Sequence, residues 1–176
     1  MRLGVLTLFL SAVLPAIGGD MATNVPMPLA EVVGHVTTSP GFHTTLFAGE
    51  PDVRQPIAMA FDDRGRLWVV ECYTYTGAGA DAFDPSLRDR ILIFEDSTGA
   101  GHFDKCKVFW DQGMRLTSIA LGFGGVFCTS APNLLFIPDR NGDNIPDGPP
   151  EILLDGWNED QMHHTIVNGL KWGPDG

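Results

Sequence analysis

The chain has 176 residues, 44% of them hydrophobic, which suits one ordinary domain with a real core and excludes wholesale disorder. With 11 Lys and Arg against 22 Asp and Glu the net charge is −11, a sign that repels phosphate backbones, so no nucleic-acid partner is expected. The 21 Gly and 13 Pro favour many tight turns and short strands over long helices.

Residues 1–19 read as an export signal. Arg2 supplies a positive start, residues 3–14 are an apolar run, Pro15 breaks it, and the small residues Ala16, Gly18 and Gly19 follow. The run is shorter than the roughly 20 apolar residues of a membrane span. An uncleaved N-terminal anchor is the alternative. The expected location is therefore periplasmic, extracellular or membrane-associated. Export permits disulfides, but Cys72, Cys106 and Cys128 are odd in number, so at least one is unpaired within the chain. No two have CxxC spacing, which removes zinc-ribbon, thioredoxin and haem-attachment motifs. Each is read as a small buried strand residue.

Residues 20–40 form a linker or lead-in. From residue 41 the texture becomes short β-type runs, each ended by Gly, Pro, Asp or Asn. Strands are expected at 42–47, 57–61, 67–71, 90–94, 107–110, 118–121, 126–129, 133–137 and 151–154. Residues 76–89, rich in Gly, Ala and Asp, are expected to be an exposed loop.

Internal repetition gives these strands an architecture. Arg90-Ile-Leu-Ile-Phe-Glu-Asp96 and Asn133-Leu-Leu-Phe-Ile-Pro-Asp139 are both apolar strands running into an Asp, and a second Asp follows each at 104 and 147. The two frames align without gaps at an offset of 43 residues. A strand–turn–strand unit at 57–69 recurs loosely at 118–128, 60 residues on, and begins again at 169–176. Propeller blades recur at roughly 40–50 residues, because one small sheet cannot bury both faces alone. The expected fold is all-β: residues 41–176 as an incomplete β-propeller of roughly three blades, with little helix, part of a larger ring.

Two stretches carry possible chemistry. Asp139-x-Asn141-x-Asp143-x-Ile145-x-Asp147 places oxygen donors at alternate positions, with the Ile145 carbonyl as an added ligand; this pattern wraps calcium, or it is a polar turn. It is not an EF-hand, since Asn144 and Pro150 stand where Gly and Glu belong. The matching loop has Asp96, Thr98 and Asp104 but Ala100 at its centre, and is expected to be a bare turn. His163 and His164 are the second stretch. A neutral imidazole there would take a proton from an alcohol while a cofactor takes the hydride; a locally bonded loop pair is the alternative. Glu71, beside Tyr73 and Tyr75, either lines a pocket or is a solvated strand end. Gly122-x-Gly124-Gly125 has the wrong spacing for a dinucleotide fingerprint.

Pro40-Gly-Phe-His-Thr-Thr-Leu-Phe-Ala-Gly-Glu-Pro51, Gln55-Pro-Ile-Ala-Met-Ala-Phe-Asp-Asp-Arg-Gly-Arg-Leu-Trp-Val-Val-Glu-Cys-Tyr-Thr-Tyr75, Ala131-Pro-Asn-Leu-Leu-Phe-Ile-Pro-Asp-Arg-Asn-Gly-Asp143 and Asn168-Gly-Leu-Lys-Trp-Gly-Pro-Asp-Gly176 resemble the PVC-type membrane-bound dehydrogenase domain family. That family consists of large exported bacterial proteins. Their N-terminal propeller is similar to glucose/sorbosone dehydrogenases, which use pyrroloquinoline quinone, and helical repeats and a c-type haem module often follow. The resemblance implies a catalytic role for His164, which precedes Asn168-Gly169-Leu170 and a Gly-Pro-Asp-Gly turn, with His163 beside it. The Ser-Thr-Gly-Ala stretch at 97–100 departs from the family's Asp/Gly-rich loop. No CxxCH is present, so a haem module is not part of this chain.

The leading expectation is thus a fragment of a quinone-dependent sugar or alcohol dehydrogenase, inactive by itself, whose substrate is a small sugar or alcohol. The rivals are a non-catalytic, calcium-braced propeller that binds carbohydrate or protein, and a calcium-dependent lactonase-like hydrolase.

Overall fold

The computed structural model describes residues 26–77, 83–157 and 167–175. After a short helix α1 (Leu29–Val32) and a single 3-10 turn (Val33–His35), the chain is built of strands: β1 (Pro56–Phe61), β2 (Leu67–Glu71), β3 (Asp89–Glu95), β4 (Lys105–Gly113), β5 (Leu116–Gly122), β6 (Gly125–Ser130), β7 (Asn133–Pro138) and β8 (Glu151–Leu154). They form two four-stranded antiparallel meanders, ordered β1-β2-β3-β4 and β5-β6-β7-β8. The fold is all-β, as expected, and neither sheet closes on itself. The strand expected at 42–47 is not formed. Phe42 lies exposed, the segment has no neighbouring strand, and its backbone is tied locally by Phe42 N to Ser39 O (3.1 Å) and at its far end by Phe103 N to Phe47 O (3.3 Å).

The central strands β2 and β3 are buried on both faces, which explains their unbroken apolar runs. One face, with Trp68, Val70, Ile91, Ile93 and Phe109, packs against Ile119, Val126, Cys128, Leu135 and Ile137 of the second sheet. Trp68 meets Phe109 edge-on, ring centres 5.0 Å apart. The other face, Val69, Leu92 and Phe94, is covered by Phe47, Ala48, Val53 and Phe103, so the segment before β1 and the β3–β4 connection together form a lid over the first sheet.

The two sheets are built alike in detail. Each first strand carries an irregularity after its first residue, between Pro56 and Ala58 and between Leu116 and Ser118. The residue before each strand is left-handed: Gln55 at φ 45° and Arg115 at φ 51°. The last residue of each second strand clasps the backbone just before that kink. Glu71 accepts from Arg54 N at 2.6 Å, and Ser130 Oγ donates to Met114 O at 2.5 Å.

Asp89 joins the sheets. It is fully buried, and its carboxylate accepts from Thr74 N (2.7 Å), Thr74 Oγ1 (2.9 Å) and Leu116 N (2.8 Å). One side chain at the head of β3 therefore fixes both the turn after β2 and the start of β5. Removing it strands three donors where water is excluded, at about 1–3 kcal/mol each when left unmade. Asp89→Ala is expected to cost about 3–5 kcal/mol in urea unfolding, and Asp89→Asn less, since its carbonyl oxygen still accepts.

Candidate functional site

A cavity of about 730 Å³ opens where the starts of β1 and β5 come together. Gln55, Cys72 and Tyr75 line one wall, and Thr117, Ser118 and Asn168 the other. The local backbone explains this placement. Left-handed Gln55 turns the chain into β1, and its carbonyl accepts from Cys72 N at 3.1 Å. The Asp89 latch holds Thr74 and Leu116, and with them the neighbours Tyr75 and Thr117. Thr117 and Thr129 hydroxyls bond at 2.6 Å, Thr117 Oγ1 donates to Val167 O, and Leu170 N donates to Ser118 Oγ at 2.7 Å, so residues 167–170 are tied to the cavity wall. The described lining is neutral, made of apolar side chains with amide and hydroxyl groups among them. Such a surface suits an uncharged ligand with both C–H faces and hydroxyls.

Cys72 reaches this cavity with its thiol buried. Burial, and then the Asp89 charge, push its thiol up to about 11, and burial pushes Cys128 up to about 12. Cys106 is exposed on β4, against the expectation of a buried residue, because it lies on the edge strand of its sheet. All three are free.

His163 and His164 lie outside the described residues. Glu71 neither lines the cavity nor meets solvent. It is fully buried at the end of β2, paired with Arg90, whose Nη2 donates to Tyr73 Oη at 3.0 Å. Sequence reasoning missed this because the cation lies 19 residues away, across a strand pair.

The Asp139 loop is drawn together, but by its own amides. Asp139 accepts from Asp143 N and Asn144 N (both 3.1 Å), Asn141 Oδ1 also accepts from Asp143 N (3.1 Å), Asp143 Oδ1 accepts from Ile145 N (2.8 Å), and Asp147 Oδ2 from Arg140 N (2.7 Å). The Asp96 loop repeats three of these bonds 43 residues earlier. Asp96 accepts from Ala100 N (3.0 Å) and Gly101 N (2.8 Å), and Asp104 Oδ1 from Ser97 N (2.6 Å). Lys107 Nζ donates to Asp143 O at 3.2 Å, bringing a cation of the first sheet onto the loop of the second. Among the described residues no group of three or more His, Cys, Asp or Glu is placed to hold a metal ion.

Two antiparallel meanders of one design, meeting at their first strands above a neutral cavity, define a repeat-built all-β protein. A family model described as "Domain of unknown function (DUF7133)" matches residues 29–176, and the chain belongs to that family. No curated protein and no solved structure matches.

Two outcomes follow from the side-chain environments. Native protein treated with iodoacetamide should label at Cys106 alone, slowly, with Cys72 and Cys128 reacting only after unfolding, read by peptide mass spectrometry. Asp62, Asp96 and Asp104 are all held below the usual carboxylate range. For Asp62, burial pushes upward but is outweighed by the Trp68 indole and the Arg66 amide and guanidinium; for Asp96 the cause is the Gly101 amide first, and for Asp104 the Ser97 hydroxyl first. Carboxylates depressed by folding contribute stability that is complete above the unfolded value of about 4 and is lost as pH falls through the lower folded values. Urea midpoints should be flat between pH 7 and 5 in this respect and drop below about pH 4, with a shallower drop in Asp62→Asn.

Proposed function

We propose that this chain is part of a β-propeller in an exported sugar or alcohol dehydrogenase of the quinone-dependent kind, and that its own share of the site binds a neutral sugar or alcohol without turning it over. The observation that carries this reading is the neutral cavity of about 730 Å³ at the convergence of β1 and β5, the place where first strands of a propeller surround an axis. Asn168, in the wall, lies four residues after His164 in the chain, which supports His164, with His163 as the alternative, as the base that removes the hydroxyl proton.

Pyrroloquinoline quinone, as electron acceptor, would take the hydride. The described lining does not fit it: its carboxylates need cations, and no Lys or Arg lines the cavity among the described residues. The described lining of this cavity is therefore not the quinone's site. Calcium is proposed for the loop of Asp139, Asn141, Asp143, Ile145 and Asp147, whose carboxylates accept backbone amides and keep further lone pairs for a cation. A haem module that accepts the electrons belongs to the same proposal and lies outside this chain.

A non-catalytic carbohydrate-binding propeller is the second reading, favoured by the hydroxyl and amide groups in the lining. Ligand titration followed by NMR separates the outcomes. Polyols and sugars are expected to bind saturably with dissociation constants of about millimolar, weakened in Ser118→Val, with no dye reduction by the chain alone when quinone is added. Absence of any sugar or alcohol binding would sink both readings. Dye reduction by a protein that includes this chain and its haem module, lost in His164→Ala, separates the first from the second.

A further inference from the structure

Three successive units bring matching positions of the repeat to the cavity. The turn glycines Gly65, Gly125 and Gly176 set the units in register, 60 residues apart and then 51. In that register Ile57, Thr117 and Asn168 are one position, and all three line the cavity. Ala58, Ser118 and Gly169 are the next position and line it too. One place in the repeat thus carries a hydrocarbon, a hydroxyl and an amide in turn. The repeat fixes where these side chains stand, and their identities make the wall two-sided.

The β1 side is apolar. Ile57 and Met59 alternate with the packed Ala58 and share the outer face of the strand. They are 52% and 69% exposed, so both side chains are free to meet a ligand. The rings of Tyr75 and Phe83, edge-on with centres 5.4 Å apart, extend this side. Two of its polar groups are turned onto the protein: the Gln55 side-chain amide donates to Tyr75 O at 3.4 Å, and the buried Cys72 thiol lies 3.8 Å from Thr74 Oγ1. The β5 side is polar. Ser118 Oγ accepts from Leu170 N at 2.7 Å, which leaves its own proton to donate. Asn168 is exposed, and its amide both donates and accepts.

A ligand hydroxyl set against Ile57 and Met59 loses water and gains no partner. A methyl group in the same place removes apolar surface from water on both sides of the contact. A hexose carries hydroxyl groups on every edge. Its 6-deoxy counterpart has a methyl group in place of the hydroxymethyl on one edge and keeps the ring hydroxyls on the others. We propose that this cavity selects a 6-deoxy sugar over the corresponding hexose, with the methyl edge on Ile57 and Met59 and the ring hydroxyls toward Ser118 and Asn168. The inference rests on the reading of the cavity as a sugar or alcohol site, and adds to it the class of sugar and the way it is seated.

The test titrates matched pairs into the 176-residue chain and follows them by NMR: 6-deoxyglucose against glucose, and 6-deoxygalactose against galactose. Each deoxy sugar is expected to bind about tenfold more tightly than its hexose. The double variant Ile57→Thr, Met59→Gln gives position 57 the hydroxyl that position 117 already carries. It should bring each pair within about twofold of equal affinity. Its melting temperature should stay within about 2 °C of the parent, since both side chains face solvent. Equal or weaker binding of the deoxy sugars overturns the proposal and leaves the sugar-site reading standing. A preference that survives unchanged in the double variant overturns the seating on Ile57 and Met59, and the proposal with it. Binding of neither member of either pair overturns the proposal together with the reading beneath it.

Discussion

A single buried carboxylate decides how the two sheets meet. Taking Asp89 out of water carries a desolvation cost that only well-aimed donors offset. Three are supplied, two by Thr74 and one by Leu116, and they come from opposite sides of the junction. Thr74 Oγ1 in turn accepts from Arg115 N at 3.1 Å, so the connection of only two residues between β4 and β5 is pinned at its second residue and at the residue after it. The internal repeat does not reproduce this device: 43 residues on from Asp89 stands Pro132. Asp89 belongs to the junction between units, whereas the Asp loops belong to the units themselves.

That distinction separates the legible from the hidden in the sequence. Strands β2 and β8 were readable to the residue, because apolar runs bounded by Gly, Pro and Asp are local signals. The run at 42–47 carried the same signal, yet its apolar side chains serve as a lid, with Phe47 packed beside Phe103 at 6.4 Å between ring centres. A strand needs a neighbour to pair with, and the sequence does not announce where neighbours are. The roles of Asp89 and Glu71 were invisible for the same reason. Their partners lie 27 and 19 residues away and are adjacent only once the sheets form. Of the candidate site, the Asp139 loop was legible as a spacing, and its actual bonding was not. The cavity could not be read at all, since Gln55, Tyr75, Ser118 and Asn168 share no local motif.

The paired Asp loops show how one spacing serves two chemistries. Carboxylates at alternate positions converge whether the object at the centre is a cation or a set of backbone amides. Here backbone amides of both loops are drawn to the carboxylates. Asp104 N bonds Glu95 O at 2.9 Å and Asp147 N bonds Pro138 O at 2.8 Å, closing both loops at the same point of the repeat. The Asp96 loop makes these bonds with Ala100 at its centre, so the turn itself does not require a carboxylate there. Asp143, at the matching position, is an addition to a turn that is already sufficient. Its carboxylate accepts from the Asn141 side-chain amide at 3.0 Å, and its carbonyl draws Lys107 from the other sheet. The 43-residue echo follows turn architecture, and the contact that braces one sheet against the next is made by the Asp143 backbone carbonyl and needs no carboxylate. Sheet contacts of this order, more than any one loop, give the cavity between β1 and β5 its walls.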